Sequence, residues 1–125
     1  MRDTAQKRIL LVEDEDNIAF ALSYLIEREG YILHRVADGA AAISELDNSK
    51  PDLVVLDAMI PGVSGFDVCQ YIRETECLSD LKVLMMSAAG TQAQRKALDI
   101  GADAFFLKPF DTRELTGTVR ELLDA

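Results

Sequence analysis

The chain has 125 residues, 49% of them hydrophobic and 28% charged, a balance that suits one soluble globular domain with a sizeable core. Its 13 Lys and Arg against 22 Asp and Glu leave a formal net charge of −9; such a surface repels nucleic acid and anionic lipid, so this segment is expected to bind neither. No stretch is apolar for long enough to span a bilayer, the segment Met1–Lys7 lacks a signal-peptide core, and Cys69 and Cys77 have neither metal-ligand spacing nor a supporting His cluster, so a cytoplasmic location with free thiols is expected.

Five short apolar runs alternate with five helical patterns. The first run, 8–12, ends in Glu13-Asp14, and a helix follows from Asp16-Asn17, either of which can cap it. Ile18, Leu22, Leu25 and Ile26 give that helix one buried face, and Gly30 stops it. A second run covers 31–36. After the Asp38-Gly39 turn, a weaker helix offers only Ala42, Ile43 and Leu46 for burial. The third run, 53–57, ends in Asp57, and Ser64-Gly65 opens a helix with Phe66, Val68, Cys69 and Ile72 available to the core. The fourth run, 82–86, ends in Ser87. Thr91-x-x-Gln94 reads as a capping box for the next helix, which Gly101 ends. The fifth run, 104–107, ends in Lys108-Pro109, and Asp111-x-x-Glu114 starts a last helix with Leu115, Val119 and Leu122 on one face. Gly117 inside that helix costs about 1 kcal/mol relative to alanine and reads as tolerated. Met85-Met86 reads as core filling, and Phe105 and Phe106 point to opposite faces, one toward the core and one partly exposed.

Strict alternation of strand and helix predicts a doubly wound (βα)5 fold with a parallel sheet, organised as one domain over 1–125, within which nothing resembles an effector domain. In such a sheet, ligands bind at the carboxyl edge of the strands. Glu13, Asp14, Asp57, Ser87 and Lys108 are therefore expected in one pocket. Each residue type there has a use. Clustered carboxylates repel unless a cation is supplied, and hard oxygen donors suit Mg²⁺. A lone carboxylate at a strand end can accept a phosphoryl group as an acyl phosphate. An ammonium and a hydroxyl then serve charge neutralisation and hydrogen bonding, the main demands of phosphoryl transfer. Read singly, these acids are also solvated loop residues or caps, Ser87 a turn residue and Lys108 a surface lysine. His34, the one histidine, reads as an ordinary strand residue.

Taken together and in order, Glu13-Asp14, Asp57, Met59-Ile60-Pro61-Gly62 through Gly65-Phe66, Ser87-Ala88, Gly101-Ala102-Asp103 and Lys108-Pro109-Phe110 resemble the receiver domain of two-component response regulators. The resemblance covers nearly the whole chain. It implies a flavodoxin-like sheet of order 2-1-3-4-5, phosphorylation at Asp57, and Mg²⁺ held by Asp14, Asp57 and the backbone carbonyl of Met59, with Glu13 reaching it through water. It also implies that Ser87 follows the phosphoryl group, that Lys108 pairs with it, and that the Lys108-Pro109 bond is cis. Phe105 takes the family's aromatic switch position, without the hydroxyl of the commoner tyrosine. The implied partners are a sensor histidine kinase or histidine phosphotransfer protein, with a homodimer through the fourth helix, fifth strand and fifth helix as one assembly. Ala104 stands where an aspartate is common in one DNA-binding subfamily, which argues against membership of it.

Three other functions share parts of the pattern. A Mg²⁺-dependent phosphatase with an aspartyl nucleophile usually has a second acid two residues on, where this chain has Met59. A flavin or nucleotide carrier needs a glycine- or hydroxyl-rich loop after the first strand, where Glu13-Asp14-Glu15-Asp16 would repel phosphate. A receiver-like module that is never phosphorylated would have no need of all five site residues. Met59 and Ala89 occupy the positions that modulate dephosphorylation in the family, and neither can orient an attacking water. The aspartyl phosphate is therefore expected to be long-lived. Met59→Asn combined with Ala89→Glu should shorten its half-life when decay is followed by intact-mass spectrometry; an unchanged half-life would refute the expectation.

Overall fold

The computed structural model describes residues 6–124; the segment 1–5, on which most of the N-terminal reading rests, and Ala125 lie outside the described residues. The elements run β1 (Arg8–Val12), α1 (Asp16–Arg28), β2 (Ile32–Val36), α2 (Gly39–Ser49), β3 (Leu53–Asp57), α3 (Gly65–Glu74), β4 (Lys82–Ser87), α4 (Thr91–Ile100), β5 (Ala104–Leu107) and α5 (Thr112–Asp124), with a 3-10 turn at Glu76–Leu78 that the sequence reading lacks. All strand pairs are parallel and the order is β2-β1-β3-β4-β5, as expected.

The two-residue period of the strands splits the core into two layers. Ile9, Leu11, Leu53, Val55, Leu84 and Met86 face α1 and α5, where Leu22, Ile26, Leu115 and Val119 meet them. Leu10, Val12, Val54, Leu56, Val83 and Met85 face α2, α3 and α4, through Leu46, Ile72 and Ala97. Met85 and Met86 are both fully buried, one in each layer, so the pair fills core as expected. β1 and β3 sit centrally and bury both faces, whereas β2 and β5 are edge strands. That explains a correction: Phe105 and Phe106 pack against opposite layers, yet each is only half-buried.

Helix starts follow the expected chemistry at three places and depart from it at two. Asp38 caps α2 by accepting from the Ala41 amide at 2.8 Å, Ser64 caps α3 by accepting from Asp67 at 3.2 Å, and Asp111 accepts from Arg113 at 2.8 Å. In α4 the cap position belongs to Gly90, whose φ of 93° turns the chain one residue early and leaves Thr91 inside the helix, without a capping side chain. In α1 it belongs to Glu15, also without a side-chain cap, while Asp16 is already helical.

Arg73, at the end of α3, ties the edge of the sheet remote from the acids. Its guanidinium donates to the carbonyls of Gly101 (2.9 Å), Ser79 (3.1 Å) and Leu81 (2.6 Å) and to Asp103 Oδ2 (2.9 Å), which also accepts from the Val83 amide. The Gly101-Ala102-Asp103 signature thus has a physical role as the seat of this guanidinium.

Gly65 meets β3 so closely that a Cβ there would lie 2.3 Å from the Asp57 carbonyl oxygen. Around Gly117 a Cβ would meet nothing within 4 Å. Gly65→Ala should therefore lower unfolding free energy by about 2 kcal/mol or more, because backbone must shift. Gly117→Ala should raise it by up to about 1 kcal/mol. Urea denaturation of both variants checks the pair.

Candidate functional site

Because every strand is parallel, the residues that follow β1, β3, β4 and β5 arrive at one edge of the sheet. Carboxylate oxygens of Glu13, Asp14 and Asp57 lie within 4.8 Å of one another there. Glu13 is fully buried and Asp57 is 4% exposed, while Asp14 faces solvent. Lys108 reaches in from the end of β5, its Nζ donating to Asp57 Oδ2 at 2.7 Å and to Glu13 Oε1 at 2.9 Å. The Lys108-Pro109 bond is cis, as expected.

Each buried carboxylate also takes a backbone donor. Glu13 Oε2 accepts from the Glu15 amide at 3.1 Å, and Asp57 Oδ1 from the Met59 amide at 2.9 Å. Burial pushes the Glu13 carboxyl above its ordinary range; the Lys108 bond and the Glu15 amide pull it back, and the nearby charge of Asp57 adds to the rise. For Lys108, burial alone would depress the ammonium, but the hydrogen bonds and charges of Asp57 and Glu13 outweigh it and raise the group. The lysine is thus held firmly in its charged form.

Ser87 closes β4 and is fully buried; its Oγ accepts from the Ala89 amide at 3.0 Å, which leaves the hydroxyl proton free to donate elsewhere. Met59 and Ala89 are exposed at the rim. Phe105 pairs in register with Met85 and packs on the α2–α3–α4 side. His34 is largely exposed on β2, with its Nε2 3.6 Å from Glu45, in keeping with an ordinary strand residue. One participant escaped the sequence reading. Arg35, on β2, donates from Nε to the Glu13 backbone carbonyl at 2.9 Å and approaches Asp16 Oδ1 to 3.0 Å. No local spacing signals it, since the contact joins neighbouring strands.

Three carboxylates facing one ammonium leave the cluster two charges from balance, and its donors are all hard oxygens. That set fits a divalent cation such as Mg²⁺.

A doubly wound sheet of order 2-1-3-4-5 with polar groups gathered at its carboxyl edge defines the flavodoxin-like class of α/β domain. Within that class, residues 9–120 match the response regulator receiver domain family, and the chain belongs to it. The sensory transduction protein RegX3 of Mycobacterium bovis is 39% identical over 116 residues, which is 92% of this chain and 50% of that protein. The alkaline phosphatase synthesis transcriptional regulatory protein PhoP of Bacillus subtilis is 36% identical over 118 residues, 94% of this chain and 48% of that protein. The chain thus spans about half the length of these curated relatives. The crystal structure of a CheY-like response regulator receiver domain protein from Methanospirillum hungatei JF-1 matches with a TM-score of 0.89 at 26% identity, covering 96% of this chain and 95% of that one. Receiver domains of this family are signalling switches of two-component systems. No described helix is long and apolar enough to cross a membrane.

Lys108→Ala would strand two buried carboxylates beside each other. In EDTA at neutral pH it should cost about 3 kcal/mol of unfolding free energy by urea denaturation. A loss within the error of the measurement would mean that the carboxylates do not depend on this ammonium.

Proposed function

We propose that this receiver domain takes a phosphoryl group onto Asp57 from the phosphohistidine of a sensor histidine kinase or histidine phosphotransfer protein. The observation that carries the reading is the placement of Asp57: at the end of a central strand, beside two further acids and 2.7 Å from a fixed ammonium. A carboxylate oxygen of Asp57 attacks phosphorus, the phosphorus–nitrogen bond breaks, and its electron pair returns to the imidazole. Lys108 neutralises charge on the transferred group, and the Ser87 proton is free to hydrogen-bond one of its oxygens. Asp14, Asp57 and the Met59 carbonyl would hold Mg²⁺, with Glu13 behind them through water. The ion supplies positive charge for the phosphoryl oxygens.

The output follows from population shift: a phosphoryl group favours whichever conformation contacts it better. We assign the responding surface to α4, β5 and α5, with Phe105 as its switch residue. Exposed Leu98 on α4 and Leu107 on β5, at 47% and 49% exposure, support a partner surface there, a second copy of the chain included. The domain itself turns over no external substrate in this reading; it catalyses only its own phosphorylation and dephosphorylation.

Incubation with acetyl phosphate and Mg²⁺ should add one phosphoryl mass to the intact protein. The gain should vanish in Asp57→Asn and when EDTA replaces Mg²⁺. A gain that survives Asp57→Asn, or none in the unaltered protein, would overturn the proposal.

A further inference from the structure

We infer that Arg35 is a positioning residue for the metal-binding loop, acting through the peptide that joins Glu13 to Asp14. The inference rests on the Mg²⁺ reading above and names a residue outside the acid cluster.

Glu13 is gripped from β2 at both backbone atoms. Its amide donates to the Val36 carbonyl at 3.1 Å, and its carbonyl accepts from Arg35 Nε at 2.9 Å. The first contact prolongs the β1–β2 ladder; the second is made by a side chain where a ladder could not continue. Together they fix the plane of the 13–14 peptide, from which the Asp14 side chain departs. At the same time the Arg35 head group lies 3.0 Å from Asp16 in the first turn of α1. One arginine therefore spans the loop from its strand end to its helix start.

The head group is not arranged as an ordinary surface ion pair. Its Nη2 atom is buried and has no aligned hydrogen-bond acceptor, the approach to Asp16 being off-angle, while Asp16 itself is 89% exposed. A pair of that kind contributes little to stability. What the residue does well is hold the Glu13 carbonyl, where the guanidinium's charge strengthens the hydrogen bond. The loop carries Glu13, Asp14, Glu15 and Asp16 in succession, and their mutual repulsion works to spread it apart. Arg35 opposes that spreading from the β2 side as Lys108 does from the β5 side.

Positioning and simple electrostatics predict opposite signs, and this makes the inference testable. Removing a cation beside a metal site should tighten Mg²⁺ binding; removing the group that shapes the loop should weaken it. Glutamine separates the two roles, since its amide nitrogen lies as many bonds from the backbone as the arginine Nε, so it can keep the donor without the charge. Mg²⁺ titrations by isothermal calorimetry, with no phosphodonor present, are made on the unaltered chain, Arg35→Ala and Arg35→Gln. We expect Arg35→Ala to bind Mg²⁺ about tenfold more weakly and Arg35→Gln to recover most of that loss. Binding by Arg35→Ala that equals or exceeds the unaltered chain's would overturn the inference, as would an Arg35→Gln as weak as Arg35→Ala. Absence of Mg²⁺ binding by the unaltered chain would instead remove the metal reading itself, and this inference with it.

Discussion

Burying Glu13 and Asp57 side by side at the edge of an apolar sheet is the constraint to which the rest of the molecule answers. Each ion removed from water costs several kcal/mol unless charge and hydrogen bonds replace the lost solvent, and two of one sign repel as well. The chain meets this with few groups. Lys108 bridges the two carboxylates, the amides of Glu15 and Met59 take one remaining oxygen each, and Arg35 holds the Glu13 carbonyl from outside. These donors come from β5, from the two loops that carry the acids, and from β2. The site thus draws on both edge strands and two of the three interior ones, and its geometry is a property of the whole sheet.

The opposite end of the molecule is organised by a different cation. Arg73 satisfies three carbonyls and Asp103, joining the end of α3 to the entrance of β4 and to the turn between α4 and β5. The C-terminal end of α4 is therefore fastened through Gly101. Its N-terminal end, next to the Ser87 loop, begins at Gly90 without a side-chain cap. So the end of α4 nearer the acids has the fewer fastenings. A helix tied at the far end and loosely started at the near one suits the proposed response of this surface to the pocket, because a small free-energy difference at the near end would suffice to shift its population.

Much of this was readable in the residues. Apolar runs of four or five residues ending in acid, hydroxyl or lysine marked four of the five strands within a residue or so, and strict alternation with helices gave the sheet its parallel sense and hence its single functional edge. Periodicity could not give reach. Arg35 and Arg73 act on backbone carbonyls of other elements, and nothing in the spacing of β2 or α3 distinguishes them from solvated arginines. Helix starts were legible where a side chain capped them, as at Asp38 and Ser64. They were misplaced where a positive-φ glycine or the demands of the acid loop set the boundary, as at Gly90 and Glu15. Phe105 and Phe106 were ranked too simply, since an edge strand half-buries both faces.

The division of Lys108 between two carboxylates bears on how the proposed reaction would be felt beyond the pocket. An acyl phosphate replaces one negative charge at Asp57 with about −1.5 to −2, spread over three strong acceptor oxygens. Lys108 then faces a richer acceptor on one side and an unchanged Glu13 on the other, so its two bonds cease to be comparable. The other donor at hand is Ser87, whose Oγ accepts from Ala89 and keeps its proton uncommitted. Drawing that hydroxyl toward the phosphoryl group would pull on the chain between β4 and Gly90, where α4 has no capping side chain. Lys108 belongs to the segment between β5 and α5, so the same event loads the surface from its other side. Both donors lead into α4, β5 and α5 and neither into α2 or α3, which gives the response a direction.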